Sequence, residues 1–218
     1  MRICLFNKLK KRLHKDIAGL QDQLANIVYN VFPNILFHGG TSIWRCYSGN
    51  RFSEDLDFYL PRQNNIKELL NKELTKNNLK LIKFKETKNV IFSKISNDNI
   101  IVQLEIRLLD KSDSVFKKAI PVEYEKIDGS TITVLCLSQE DLLLEKARTY
   151  VNRKLIRDIF DVYFLSHFTK LNKEQLKEIN TLISKFPKPV DEDNLKAIVY
   201  AGAVPSYTQM LSTIKRRF

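Results

Sequence analysis

Between positions 100 and 109 every second residue is apolar: Ile100, Val102, Leu104, Ile106 and Leu108 make one wholly apolar face, while Gln103, Glu105 and Arg107 point the other way. Only an extended strand sends alternate side chains to opposite faces, so this segment must lie in a sheet with one face buried. The remaining strands follow from that anchor. Residues 79–84, 90–95, 121–127 and 132–137 read as further strands, 35–37 as a short one, and 52–60 as a strand stopped by Pro61. A helix is expected over 16–32, where Ile17, Leu20, Leu24, Ile27, Val28 and Val31 recur at helical spacing before Pro33, and another over 66–76. A brief helix over 43–47 is expected to open on Thr41 or Ser42 as its cap.

From Ser138 the periodicity turns helical, with Ser138-Gln139-Glu140-Asp141 as a capping-box start and further helices over 173–186, 191–200 and 206–217. Leu144, Val151, Leu155, Ile159 and Val162 fall within about 80° of one another on an unbroken helix, and Lys146, Tyr150, Arg153, Arg157 and Asp161 form a stripe roughly opposite. The expected architecture is therefore α/β (α+β): a mixed sheet with helices over residues 1–137, followed by a helical part over 138–218. At 218 residues and 44% hydrophobic composition the chain can fill such a core.

Charge points to the partner. Lys and Arg number 36 against 25 Asp and Glu, a net charge of +11, which attracts polyanions, nucleic acid first among them. Residues 2–15 carry six basic residues and no acid, and Lys215, Arg216 and Arg217 are clustered likewise. The apolar run Ile3–Phe6 is too short for a signal-peptide core, and no stretch approaches the roughly 18 apolar residues of a membrane span. Cys4, Cys46 and Cys136 lack metal-ligand spacing and read as reduced thiols, so a cytoplasmic protein with no membrane partner is expected.

In Asp55-Leu56-Asp57-Phe58-Tyr59-Leu60 both aspartates share one strand face and the apolar residues the other. Like charges held side by side are costly unless a cation or protons neutralise them. Hard oxygen ligands suit Mg²⁺, and a two-metal site can activate an attacking hydroxyl and stabilise a leaving phosphate oxygen. Glu105 is the expected third ligand and a candidate base; Glu123 and Glu125, alternating with Val122 and Tyr124, are its rivals. Gly39-Gly40 lets backbone N–H groups approach a ligand, and Thr41 and Ser42 add hydroxyls suited to triphosphate oxygens. Lys146 and Arg157 could hold phosphates, with Asp161 orienting the Arg157 guanidinium.

Residues 36–60, LFHGGTSIWRCYSGNRFSEDLDFYL, resemble the first motif of the AbiEii/AbiGii toxin nucleotidyltransferases, within the DNA-polymerase-beta-like nucleotidyltransferase superfamily. Glu145-Lys146-Ala147-Arg148 through Arg157-Asp158-Ile159-Phe160-Asp161 resembles that family's second motif, a Lys followed by Arg-Asp-x-x-Asp, and Glu105 falls where the family has its strand acid. Asp191 and Asp193 with Lys196 loosely echo a third motif. The resemblance implies a catalytic set of Asp55, Asp57, Glu105, Lys146 and Asp161. It implies a nucleotide-binding set of Gly39, Gly40, Thr41, Ser42, Arg51, Ser53, Lys146, Arg157 and Asp158. It further implies one or two Mg²⁺ ions on Asp55, Asp57 and Glu105, with Mn²⁺ as a substitute. The expected reaction is transfer from an NTP to RNA, with tRNA 3′ ends as targets, in a toxin–antitoxin or phage-defence pair with a cognate antitoxin. The other readings are a non-catalytic basic RNA-binding module and a nucleotidyltransferase acting on a protein or small molecule.

Overall fold

The structure, a computed structural model, describes residues 4–218; Arg2 and Ile3 of the N-terminal basic and apolar runs lie outside the described residues. The chain divides into two compact units, one of residues 1–46 and 52–137 and the other of residues 47–51 and 138–218.

The first unit is built on a seven-stranded mixed sheet. Its elements in chain order are α1 (Leu5–Lys8), α2 (Arg12–Val31), β1 (Leu36–His38), α3 (Gly39–Cys46), β2 (Leu56–Pro61), α4 (Ile66–Lys76), β3 (Lys80–Glu86), β4 (Val90–Ser96), β5 (Ile101–Leu109), β6 (Ile120–Glu125) and β7 (Thr131–Cys136). The strand order is β3-β4-β5-β2-β1-β7-β6, with β2–β5 and β1–β7 parallel and the other pairs antiparallel. The alternation in β5 does what its pattern requires: Val102, Leu104, Ile106 and Leu108 are buried, and register places Leu104, Ile106 and Leu108 beside Leu56, Phe58 and Leu60 of β2. On β4, Ile91 and Ile95 extend that face. The amphipathic helices α2 and α4 pack over it with Leu20, Leu24, Ile27, Leu70 and Leu74. Full burial of each such side chain contributes about 1.5–3 kcal/mol, so this layer holds the sheet in one register.

Three starts in this unit differ by four residues from the sequence expectation. Helix α2 begins at Arg12 rather than Asp16, because Arg12 donates to Asp16 one turn on at 3.0 Å and adds a turn. Helix α3 begins at Gly39, so Thr41 and Ser42 lie inside its first turn rather than capping it. Strand β2 begins at Leu56, so Phe52–Asp55, expected as the start of the strand, is irregular.

The second unit is helical: α5 (Gln139–Arg153), α6 (Ile156–Ser166), α7 (Lys173–Ile183), α8 (Leu195–Ile198) and α9 (Tyr207–Arg217). Ser138 caps α5 by accepting from the Asp141 N–H at 3.1 Å, and α7 and α9 open on full capping boxes, Asn172 with Gln175 and Ser206 with Gln209. The long helix expected to pass through Asn152 is broken. Lys154 adopts the left-handed conformation (φ 58°), and α6 starts afresh two residues later. The expected helix over 191–200 is reduced to a 3-10 turn at Glu192–Asn194 and the four-residue α8. Among the described residues no helix is long and apolar enough to cross a membrane.

Candidate active site

Each half of the candidate constellation lies within one unit. In the first, β1, β2 and β5 place three polar side chains in a row across the sheet, His38 opposite Asp57 and Asp57 opposite Glu105. Neighbouring strands lie about 4.8 Å apart, so Asp57 and Glu105 are adjacent on the face away from the apolar core. Both are half-buried, as is Asp55. Glu123 and Glu125 lie on β6, which β1 and β7 separate from β2. Register thus puts Glu105, and neither rival, beside Asp57.

The turn from β1 into α3 is shaped around Asp57. Gly39 has φ +80°, and a Cβ there would lie 2.3 Å from Asp57 Oδ2 and 2.9 Å from its Cγ. Only glycine tolerates both that conformation and that approach. Asp55, ahead of the strand, is fixed through its backbone. The Thr41 hydroxyl donates to the Asp55 carbonyl at 2.5 Å, and Gln21 of α2 donates to the carbonyls of Ser53 (3.0 Å) and Glu54 (2.8 Å). Phe52 is gripped between His14, stacked at 3.9 Å, and Trp44, edge-on at 4.9 Å. The irregular run 52–55 is therefore rigid without being a strand, because its carbonyls are satisfied by side chains.

Thr41 and Ser42 themselves have no exposed surface, and the Ser42 hydroxyl donates to the Gly39 carbonyl at 2.9 Å. Both hydroxyl protons are spent on holding the turn, which alters the expected part of these two residues: they shape the cradle that the triphosphate was expected to touch. Gly40 is buried in the first turn of α3, and Ser53 is half-buried with its carbonyl held by Gln21.

The second unit gathers Arg51, Lys146, Arg153, Asp158 and Asp161. The Arg51 guanidinium makes a bidentate pair with Asp161, both bonds 2.6 Å. The Lys146 ammonium lies 3.2 Å from Asp161 and 3.6 Å from Asp158, and Arg153 holds Asp158 at 3.0 Å. All but Arg153 are buried, with Asp158 fully enclosed. The segment carrying Arg51 is itself anchored in this unit, by Asn50 donating to the Ala201 carbonyl, Tyr200 donating to the Gly49 carbonyl, and an antiparallel bridge from Arg51 to Val199.

This arrangement corrects the helical-stripe reading. Lys146, expected on a solvent-facing stripe, is 6% exposed; the break at Lys154 changes the phase, and α6 packs against α5 with Asp158 and Asp161 turned toward it. Asp161 orients Arg51, not Arg157, which is exposed. Three cations against two carboxylates leave one positive charge in excess, a feature suited to a phosphate. Asp191, matched only loosely to a third motif, has a definite part: its carboxylate accepts from the Ile156 N–H at 2.7 Å and caps α6 from 35 residues away.

Sequence reasoning gave no role to Gln21, Asp22, His38 or Arg45. Arg45 is buried between the rings of Trp44 and Tyr124, each 4.7 Å away, and pairs with Asp22, which also accepts from the Tyr124 hydroxyl (3.1 Å) and the Ile127 N–H (2.8 Å). Burial pushes the Tyr124 phenol pKa up, against the opposing pull of Arg45. This cluster ties α2 and α3 to β6. His38 stacks on Tyr59 at 3.8 Å, beside Asp57. Polar residues on the apolar stripe of α2 were the available signal for Gln21 and Asp22.

As a metal site, the acidic face fits Mg²⁺ in donor chemistry, since its ligands would be hard carboxylate oxygens. Among the described residues no three His, Cys, Asp or Glu side chains converge into a ready-made metal group. Binding would therefore have to draw Asp55, Asp57 and Glu105 together.

The family model described as "Nucleotidyl transferase AbiEii toxin, Type IV TA system" matches residues 24–200, most of the chain and both halves of the constellation. No curated protein matches the sequence. Among solved structures, JHP933 from Helicobacter pylori is similar with a TM-score of 0.62 at 19% identity, covering 92% of this chain and 89% of that one. The nucleotidyltransferase toxin MenT4 (Rv2826c) from Mycobacterium tuberculosis H37Rv is similar with a TM-score of 0.53 at 15% identity, covering 95% and 84%. At such identities the two structures speak for the fold; the family match carries the assignment, and the chain belongs to the AbiEii family of nucleotidyltransferase toxins.

Proposed function

We propose that this nucleotidyltransferase transfers a nucleotide from an NTP to the hydroxyl end of an RNA, with tRNA 3′ ends as the target class, in a cytoplasmic toxin–antitoxin pair with a cognate antitoxin. The observation that carries the reading is the cross-strand pair of Asp57 and Glu105, with the β1–α3 turn reduced to glycine where the Asp57 carboxylate needs the space.

Asp55, Asp57 and Glu105 would hold Mg²⁺, as one or two ions with Mn²⁺ as a substitute, which supplies charge to stabilise the phosphoryl transition state and the leaving oxygen. Glu105 accepts the proton of the acceptor hydroxyl. The hydroxyl oxygen forms a bond to the α-phosphorus as the bond to pyrophosphate breaks. Lys146 and Arg51, held in place by Asp161 and Asp158, carry charge suited to phosphate oxygens, and exposed Arg157 adds a further cation. The backbone of Gly39 and Gly40 offers N–H donors at the start of α3.

The test is to incubate the protein with each α-labelled NTP, Mg²⁺ and total cellular RNA. Label should enter small RNA, and Asp57→Asn should abolish it while keeping a folded circular-dichroism spectrum. Label on protein, or transfer that survives Asp57→Asn, would overturn the RNA acceptor or the metal-ligand assignment respectively.

A further inference from the structure

The row that contains Asp57 and Glu105 continues outward. Register sets Glu105 beside Phe92 of β4 and Phe92 beside Lys85 of β3; one row over, Gln103 stands beside Lys94 and Lys94 beside Lys83. Because alternate residues share a face, Lys83, Lys85, Phe92 and Lys94 lie on the same open side of the sheet as the carboxylates. The apolar partners Phe84, Ile91 and Ile95 point the other way. Lys83 and Lys85 are exposed, while Lys94 and Phe92 are half-buried. At about 4.8 Å per strand, Lys85 lies about 14 Å from Asp57, some two or three nucleotides of an extended chain.

The charges on this face differ from three cations around the same edge of the sheet. Lys76 pairs with Glu73, Lys80 with Asp98 and Arg62 with Asp110, whereas among the described residues no carboxylate lies within ion-pair distance of Lys83, Lys85 or Lys94. Instead the Lys83 ammonium lies 5.5 Å over the Phe92 ring. Unneutralised cations around a presented aromatic face form the combination that binds single strands, with phosphates on the cations and a base on the ring.

We propose that the open face of β3, β4 and β5 is the platform for the acceptor strand, holding the nucleotides that precede its reactive end as single-stranded RNA, with Lys83, Lys85 and Lys94 on phosphates and Phe92 under a base. The proposal rests on the RNA-acceptor reading above and specifies which strand conformation the protein accepts and where. A flexible end is taken and a duplex is not, because a base must be free to stack.

The experiment measures fluorescence anisotropy of a short labelled single-stranded RNA on the full chain over a salt series, for wild type, the triple variant Lys83→Ala/Lys85→Ala/Lys94→Ala, and Phe92→Leu. The triple variant should bind at least about tenfold more weakly, with a log–log salt slope shallower by about two, since each single-strand phosphate contact contributes about 0.7. Phe92→Leu, which keeps the apolar volume, should lose affinity by about fivefold or more with the slope unchanged. In transfer assays both variants should raise KM for RNA and leave kcat and the KM for NTP as they are. Wild-type affinity and slope in the triple variant, or a blunt duplex of the same sequence competing as well as the single strand, would overturn the platform. Weakened RNA binding in a protein that transfers no nucleotide would keep the platform and remove the RNA-transfer reading, so the two failures are distinguishable.

Discussion

Gly39 shows how much of the site rests on a single absent side chain. Its Cβ would overlap the Asp57 carboxylate, and φ +80° is strained for any other residue. Gly39→Ala should therefore cost at least about 1 kcal/mol of stability. A displacement of the carboxylate by about 1 Å should cost about 100-fold in transfer rate; chemical denaturation and initial rates read the two effects, and a variant with wild-type rates would contradict the cradle. His14 offers a pH signature. Burial lowers its pKa below 6.5, with Lys11 adding to the shift and Glu54 opposing it. The unfolded state then binds the proton more tightly, so stability is retained above pH 6.5 and falls as pH drops through that value toward the folded pKa. His14→Phe should flatten that fall in urea midpoints measured across the range, and an unchanged slope would assign it elsewhere. The Gly-Gly pair and Asp-x-Asp were visible as letters. The contact between Gly39 and Asp57 was not, since it joins residues brought together only by β1–β2 pairing.

At the scale of elements, the strands with strict alternation were legible because period two has no competitor at that length. The start of β2 was misread for a physical reason: Phe52–Asp55 runs into the strand with no Gly or Pro to mark a break, yet the carbonyls of Ser53, Glu54 and Asp55 bond to Gln21 and Thr41 instead of a strand. The division of α5 from α6 left no glycine or proline to announce it. Lys154 takes a left-handed conformation there, and the new helix is capped by Asp191 from outside its own neighbourhood. That break decides what Lys146 does. Removing it would leave Asp158 and Asp161 buried and under-paired, so Lys146→Ala should cost about 3–5 kcal/mol of stability in addition to abolishing transfer. Equilibrium denaturation checks this, and a variant as stable as wild type would return Lys146 to the surface. Asp191→Ala, by contrast, should cost only about 1 kcal/mol, the worth of a lost cap.

For the molecule as a whole, the net charge of +11 pointed to a polyanion without saying where it docks. The basic N-terminal run is less uniform than its letters, since Arg12 pairs with Asp16, and Lys15 lies 4.1 Å over Phe6. At the other end Arg217 donates to the Ser166 carbonyl at 3.0 Å and closes the last turn of α6. Replacing Lys8 and Lys10 by Ala should thus shallow the salt slope of RNA binding by about 1.4 if each meets one phosphate, whereas Arg217→Ala should lower stability and leave the slope alone. The central claim is the bond that is made: an RNA hydroxyl to the α-phosphorus of an NTP, with pyrophosphate leaving. Parallel reactions with the same NTP labelled at the α- or the γ-phosphate, with and without Asp57→Asn, test it most directly. The account predicts α-label on RNA, γ-label released only as pyrophosphate, and neither product with the variant; γ-label on RNA, or α-label incorporated by Asp57→Asn, would contradict it.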